Sequence, residues 1–500
     1  MSSAHLEARL ERGLKTLGLV AGPTLAVAVF LWNPGGHPAE ARRLLAILAL
    51  VVAWWMTEAI PLPATALVSS ALAITAGVAP ARQVLAPYAD PVIFLFLGSF
   101  LLAEAASRYG LAVRLASLLL GLRVFGSSGV GRMAAFGTSS AAVSTCLSNT
   151  ATAALMTPIA LGALGERRQE AAGPARLDSA VLLMIAYGAS IGGMATLIGT
   201  PPNLLVAGFL ERLAGVRVSF TGWLVFAFPV ALALLALSLL LTRFSLGRGL
   251  AGETVPALAV PPSTGTSEDE AERRKGASWT MLAFGLAATL WLAPSLAQGA
   301  LGRAHPVSTA LDKHLPEAGV ALLCATLLFV APVSWRKRRF ALSWTDGQRV
   351  NWGVLMLFGG GLSLGTLAEA AGIARWAGEG VVSLGLTASP EIFMLICVVA
   401  SITLSEFASN TASATLLVPV VIAAAQQAGF DPVPPALAAG LAATCGFIFP
   451  VSTPPNAIVF GTGRVPLTRM IRAGLLLDLT CILVVWSGVL LLRPLLPRAG

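Results

Sequence analysis

The sequence predicts an all-α polytopic membrane protein, with about eleven transmembrane helices and two re-entrant hairpins related by an inverted-topology repeat. Three observations predict this. The first is composition: 56% of residues are apolar, only 11% are charged, and the mean hydropathy is +0.80, whereas soluble domains carry roughly 25% charged residues. Many windows hold the ~20 apolar residues that a membrane crossing needs. The second is a polar tripeptide set in apolar sequence, Ser148-Asn149-Thr150, which recurs 261 positions on as Ser409-Asn410-Thr411. The third is Thr200-Pro201-Pro202-Asn203, which recurs 253 positions on as Thr453-Pro454-Pro455-Asn456. The matching extends outward through Ala151/Ala412, Ala153/Ala414, Leu155/Leu416 and Pro158/Pro419, and through Val206/Val459 and Gly208/Gly461. Two different interruptions in the same order in both halves point to a duplicated unit and to a binding site at the repeat interface.

Residues 1–16 are charged and read as a short cytoplasmic lead without a cleavable signal. The first half (17–242) opens with spans at Leu17–Trp32, Leu44–Ile60, Ala64–Ala79 and Val92–Ala106, the last running on towards Leu120. About 131–165 the sequence is apolar but broken at Thr145–Thr152, leaving each side too short to cross. A hairpin with Ser148-Asn149-Thr150 at its tip fits, since non-helical backbone at that depth must be surrounded by protein or water. A helix over about 177–213 is interrupted at Gly199-Thr200-Pro201-Pro202, where two prolines remove ladder donors. Trp223–Thr242 spans again. Residues 243–276, with prolines, serines and mixed charge, form a cytoplasmic linker between halves. The second half (277–500) holds spans at Trp279–Leu296, Ala318–Val333 and Val350–Ala370, a hairpin at about 392–425, a broken helix at about 435–462, and a closing span at Leu475–Leu492.

This map places the N-terminus inside and the C-terminus outside the cytoplasmic membrane. About two thirds of the 33 Lys and Arg then fall on the cytoplasmic side, as the positive-inside rule requires; Arg42-Arg43 on an outer loop is the main exception. The +9 net charge thus reflects topology and not nucleic-acid binding. The five cysteines stand singly in apolar sequence, which gives neither metal spacing nor a disulfide framework. The four histidines are scattered, and no nucleophile–base set or phosphate loop appears, so the chain does not read as an enzyme. No cofactor is expected.

With SNT and TPPN paired, and with SEFASNTASATLLVP and GFIFPVSTPPNAIVFGTG in the second half, the sequence resembles the divalent anion:sodium symporter family (solute-carrier family 13). The resemblance covers most of the chain. It implies an elevator-type transporter, usually a homodimer. Its scaffold would hold the first four spans and the three after the linker, and its mobile domain both hairpins and both broken helices. It implies Na⁺-coupled uptake of succinate, malate, fumarate or a related dianion; Na⁺-independent dicarboxylate exchange and sulfate or citrate transport are the alternatives within the fold. By resemblance a first sodium site falls on Ser144, Ser148, Asn149 and Gly199, and a second on Ser405, Ala408, Asn410 and Ser452. Substrate contacts fall on Asn149, Thr150, Thr200, Pro201, Ser409, Asn410, Thr411, Thr453 and Pro454.

The residues reach a similar place by themselves. From Met133 to Gly165, Leu177 to Leu210 and Trp376 to Gly463 there is no Lys or Arg. A dianion buried there cannot stay unpaired. Compensation must come from helix N-termini, amide and hydroxyl donors, and bound cations. Asn149 and Asn410 suit such a site, because one amide offers an oxygen to Na⁺ and an NH₂ to a carboxylate. The competing reading of the SNT motifs is plain hydrogen bonding between helices by small polar residues; duplication in register with TPPN argues against it. A channel-like or sensory protein on the same fold is the rival of a different class. Gly359-Gly360-Gly361 reads as close helix packing. Glu406 stands open between structural hydrogen bonding and coupling, since the first repeat has Thr145 in its place.

Overall fold

A computed structural model describes residues 3–33, 36–126, 128–165, 176–246 and 267–496. The expected loop at 166–175 and most of the expected linker (247–266) lie outside the described residues. The chain is helical nearly throughout. It runs through α1 (Ser3–Trp32), α2 (Ala39–Thr57), α3 (Leu62–Thr75), the short α4 (Ala81–Leu85), α5 (Pro91–Arg108) and α6 (Leu111–Leu120). The first hairpin is α7 (Gly129–Ser144) and α8 (Asn149–Leu164); the first broken helix is α9 (Arg176–Ala195) and α10 (Pro201–Ala214), followed by α11 (Phe220–Leu246). The second half has α12 (Ser267–Leu301), α13 (Pro306–His314), α14 (Glu317–Val330), the single turn α15 (Trp344–Gly347), α16 (Trp352–Ala370) and α17 (Ile373–Ser383). Then come the second hairpin, α18 (Pro390–Phe407) and α19 (Asn410–Gln427), the second broken helix, α20 (Val433–Ala442) and α21 (Pro454–Gly461), and α22 (Leu467–Leu491).

Among the described residues eight helical segments are long and apolar enough to cross a membrane by length and composition. One of them, α18, is an arm of the second hairpin. The duplication is visible element by element, with α5 to α11 matched in order by α16 to α22.

Two details differ from the sequence reading. The lead at 1–16 is already helical from Ser3, continuous with the first span. The fourth span does not run on to Leu120: Gly110, at φ +64°, ends it and redirects the chain into the separate α6, a turn that a residue with a Cβ adopts only at a cost. Its repeat counterpart Gly372 (φ +74°) does the same between α16 and α17. The basic run Arg336–Arg339 sits on a short β-hairpin pairing Pro332–Ser334 with Arg339–Phe340, where Lys337 and Arg339 both reach Glu272, at 2.9 and 3.1 Å.

Lipid gives apolar helices no hydrophobic reason to associate, so close packing of small residues must do it. The triple glycine shows this. A Cβ on Gly359 would lie 2.3 Å from the Tyr88 ring, one on Gly360 2.6 Å from Ala66, and one on Gly361 2.4 Å from Thr415. These glycines therefore let α16 approach α3 and the second hairpin, as their spacing suggested. At the centre of the other body, Leu177 to Ala195 of α9 are all buried. The helices fall into two groups by packing. One joins α1 with α2, α3 with α16, and α5 and α12 with α14. The other joins both hairpins, both broken helices, α11 and α22.

Candidate substrate and cation site

Each hairpin turns through a few residues and re-enters a helix whose first turn is capped by the motif itself. Ser148 is the N-cap of α8 and its hydroxyl accepts from Ala151 N–H at 3.2 Å. Ser409 caps α19 in the same way, from Ala412 N–H at 3.2 Å. The serines of the two motifs are thus helix starters, which places Asn149 and Asn410 at N-terminal helix ends with their partial positive charge. The asparagines are held by the arm that precedes them. Ser144 donates to Asn149 Oδ1 at 2.9 Å and Ser405 to Asn410 Oδ1 at 2.8 Å. Both asparagine oxygens are therefore taken, while neither NH₂ makes a hydrogen bond among the described residues.

The broken helices supply two more N-termini. Thr200 and Thr453 are extended N-caps, at φ −147° and −142°, each followed by two prolines that set the first helical turn of α10 and α21. What holds the unwound segments was not read from the sequence. Asn203 donates through Nδ2 to the Gly193 and Thr196 carbonyls, at 2.9 and 2.8 Å. Asn456 donates to Gly446 and Phe449, both at 3.0 Å, the same two offsets back along the chain. The last residue of each TPPN motif is thus a brace across the break, fully buried. The signal was present, because Asn203 and Asn456 recur with the prolines.

Around the first break, Asn149, Gly193 and Gly199 converge. A Cβ on Gly193 would meet Asn149 Oδ1 at 2.2 Å, and one on Gly199 would meet the Gly193 oxygen at 2.5 Å. Thr196 ties this cluster to the hairpin, its hydroxyl donating to the Thr145 carbonyl at 2.8 Å. Around the second break, Ser405 also reaches the Ala443 oxygen at 2.7 Å, and Ser452 reaches the Gly446 and Phe449 oxygens at 2.9 and 2.7 Å. Gly446 lies against Ser405 and Ser452 together, and Ala408 is buried in the turn between the arms. Each set is rich in oxygen, the donor type a hard cation takes. Of the predicted first-site residues, Ser148 points its hydroxyl away into its own cap. The Ala443 carbonyl and Gly446 belong to the second cluster and were missed, because a backbone oxygen leaves no mark in the sequence.

Glu406 is buried two residues from Ala408 and accepts from Ile448 N–H at 3.0 Å and Phe449 N–H at 3.2 Å. It ties the second hairpin to the second break at the place where Thr145 and Thr196 tie the first. The two halves also interlock. α8 packs on α9 and on α21 of the other repeat, while α19 packs on α20 and on α10 of the other repeat. Ser409 and Thr411 line a cavity of about 530 Å³. Thr150 is exposed at the other tip, and Pro201 is half-buried beside the buried Thr200.

Residues 15–495 match the family described as the sodium:sulfate symporter transmembrane region. The chain is 31% identical over 493 residues to the sodium-dependent dicarboxylate transporter SdcS of Staphylococcus aureus, covering 96% of this chain and 91% of that protein. Its likeness to SdcS of Staphylococcus saprophyticus is 31% over 492 residues, with the same coverage. Among solved structures the fold matches the YdaH transporter of Alcanivorax borkumensis, with a TM-score of 0.57 at 18% identity over 91% of this chain and 98% of that one. It also matches MtrF of Neisseria gonorrhoeae, described as one of a class of antimetabolite efflux pumps, with a TM-score of 0.55 at 12% identity over 94% and 99%.

Proposed function

This chain belongs to the sodium:sulfate symporter family, the divalent anion:sodium symporters, and from that premise we propose that it is a secondary transporter coupling Na⁺ entry to uptake of a C4-dicarboxylate such as succinate, malate or fumarate. The observation that carries this reading is the pair of matched Ser–Asn contacts at 2.9 and 2.8 Å beside helix N-termini, in segments without Lys or Arg. The N-termini and free amide NH₂ groups suit carboxylates, and the clustered oxygens suit Na⁺. Cations supply the neutralisation that basic side chains do not. The names of the curated relatives point to the same ion and substrate class.

In this proposal Ser144, Ser148, Asn149 and Gly199 hold one Na⁺, Ser148 through its backbone, and Ser405, Ala408, Asn410 and Ser452 hold another. Asn149, Thr150, Thr200, Pro201, Ser409, Asn410, Thr411, Thr453 and Pro454 form the substrate surface. The body of hairpins and broken helices moves as an elevator against the α1–α5 and α12–α16 body, in a homodimer set in the cytoplasmic membrane with the N-terminus inside. The division at 243–276 then lies in the cytoplasm and 305–314 outside, and single cysteines there should label from those sides only.

The test is uptake of succinate, citrate and sulfate into proteoliposomes, with and without an inward Na⁺ gradient. Succinate accumulation that requires Na⁺ is expected. Equal accumulation with choline in place of Na⁺ would favour an exchanger, and preference for sulfate or citrate would move the substrate assignment.

A further inference from the structure

At one end of the group formed by α5, α12 and α14 stands a basic, aromatic β-hairpin that the transport reading leaves unused. It is fastened to three helix ends. Ala341 N–H donates to the Ala331 carbonyl and Leu342 N–H to the Leu328 carbonyl, both at 2.9 Å, which closes the strand pair onto the end of α14. Trp279 of α12 donates its indole N–H to the Pro332 carbonyl at 3.1 Å. The Tyr109 hydroxyl, just past α5, donates to the Ala341 carbonyl at 2.8 Å, and a Cβ on Gly276 of α12 would come within 2.0 Å of the Tyr109 ring.

This platform presents positive charge beside exposed rings. Arg336 and Arg338 on the hairpin, and Arg273, Arg274 and Lys275 on the adjoining α12, are exposed, and none of the five has an ion-pair partner among the described residues. The nearby acids are already engaged. Glu272 takes Lys337 and Arg339 at 2.9 and 3.1 Å, and Asp269 and Glu270 have partners other than these five. Trp335 is 76% exposed and Trp344 67%. Leu323, Leu327 and Val330 form an exposed apolar stripe along α14 that ends two residues before the hairpin, and Met281 and Leu282 are exposed just past Trp279 on the neighbouring α12. Such stripes face acyl chains, while tryptophans gather at headgroup level. The arginines therefore stand among headgroups, not out in the water where a soluble partner would dock.

We propose that the hairpin and the α12–α14 face beside it bind an anionic glycerophospholipid, with Arg336 and Arg338 on the headgroup and the chains along Leu323, Leu327 and Val330. The leaflet is cytoplasmic in the topology proposed above. A guanidinium matches a phosphate through paired N–H donors, and each Lys or Arg near a negative membrane surface adds to the attraction within a Debye length. A zwitterionic lipid offers the same phosphate but brings its own cation, so the surface discriminates by headgroup charge. The hairpin belongs to the group of helices that holds neither motif pair. Lipid bound there anchors that group and leaves the cation and substrate sites alone.

The experiment titrates the delipidated full-length protein, in neutral detergent, with phosphatidylglycerol and with phosphatidylcholine of the same chains, and counts bound lipid by native mass spectrometry. It needs no transport, so its failure is distinct from a failure of the transport reading. The wild type should bind phosphatidylglycerol at least tenfold more tightly than phosphatidylcholine. The double variant Arg336→Gln/Arg338→Gln should lose roughly tenfold in phosphatidylglycerol affinity with phosphatidylcholine unchanged, and Arg336→Lys/Arg338→Lys should keep most of the preference. Arg123→Gln/Arg472→Gln removes the same charge from exposed positions outside the hairpin and should match the wild type. Melting temperatures confirm that each variant is folded. Phosphatidylglycerol affinity that is equal in the wild type and the hairpin variant, or lost equally in the control, overturns the proposal. Glycerol phosphate should not compete at millimolar concentration; if it does, the site takes a soluble phosphate and the lipid assignment falls. A wild type without lipid preference that retains hexaglutamate would make the hairpin a protein-docking face, which also overturns it. A photoactivatable-chain phosphatidylglycerol should cross-link within residues 323–340, and cross-linking there that is unchanged in the hairpin variant would remove the headgroup contact.

Discussion

The Ser405 hydroxyl donates to the Asn410 side-chain oxygen over 2.8 Å, and 261 residues earlier Ser144 donates to Asn149 over 2.9 Å. The relationship survives duplication although the flanking residues differ, down to Thr145 in one copy and Glu406 in the other. It fixes how each amide is turned: the oxygen faces the serine of its own hairpin arm, and the NH₂ has no hydrogen-bond partner among the described residues. That orientation is what would link cation and substrate, because one rigid group serves both.

Replacing Asn149 or Asn410 with Ala should therefore weaken Na⁺ and succinate together. Loss of a hydrogen bond to a charged group costs about 1.5–3 kcal/mol, so both apparent affinities should fall roughly tenfold or more, and reciprocally, as linked binding requires. Thr152→Ala is the control; its buried hydroxyl has no partner among the described residues, and its effect should be small. Substrate binding across a Na⁺ titration of folded protein decides. Unchanged Na⁺ and substrate dependence in both asparagine variants would reduce the motifs to packing devices.

Asn203 and Asn456 should behave differently, because they brace backbone and touch no ligand in the proposal. Each spans two carbonyls of an unwound segment. Their removal leaves buried acceptors unsatisfied, at about 1–3 kcal/mol per group. Asn203→Ala and Asn456→Ala should lower the melting temperature in detergent by several degrees. Asn→Asp at either place should be no better, since an ionised carboxylate cannot donate. A melting temperature equal to wild type for both alanine variants would remove the brace.

The architecture was legible in the sequence because its cause is written there twice: apolar windows give the spans, and repeated polar interruptions give the hairpin tips and helix breaks. The family resemblance put Ser144 with Asn149 and Ser405 with Asn410 in its two sodium sets, and in the structure each serine hydrogen-bonds to its asparagine. The roles within TPPN were less legible, since nothing in the motif itself says that Asn203 and Asn456 brace the carbonyls across the break. The Ala443 and Gly446 positions depend on backbone oxygens, which composition does not reveal. Residues 1–16 read as a short cytoplasmic lead, because nothing local tells that Gly18 packs α1 against Thr57 or that Lys15 lines the cavity with Ser409 and Thr411. The break at Gly110 was missed because apolar residues on both sides imitate one long span.

Glu406 joins the second hairpin to the second helix break. Its two carboxylate oxygens accept from Ile448 and Phe449 N–H, and the equivalent connection in the first repeat is a neutral one between Thr196 and Thr145. A structural tie is expected. Glu406→Gln keeps one acceptor and turns an NH₂ towards a donor, so the variant should melt earlier while its Na⁺ dependence keeps the same Hill slope. A reduced Hill slope at unchanged melting temperature would instead make Glu406 part of the coupling machinery.

Asp90 connects the two bodies. One oxygen caps α5 by accepting from Val92 N–H at 2.9 Å, and the other receives Arg212 Nε of α10 at 2.7 Å. Both side chains are largely buried, with 9% and 28% exposed. Because α5 packs in one group and α10 in the other, the elevator stroke proposed above would separate this pair, and the pair would then favour the state in which it forms. Asp90→Asn keeps a good helix cap while removing the charge. If the pair contributes about 1.4 kcal/mol to the difference between states, the variant shifts their ratio about tenfold, which is within the range for partly buried pairs. Cysteine accessibility from the two faces of the membrane reads that ratio. Asp90→Asn and Arg212→Gln should shift it in the same direction, and the double variant should shift it little further than either alone. Additive shifts in the double variant would mean that the two residues act separately, and that the contact is not a latch between the moving parts.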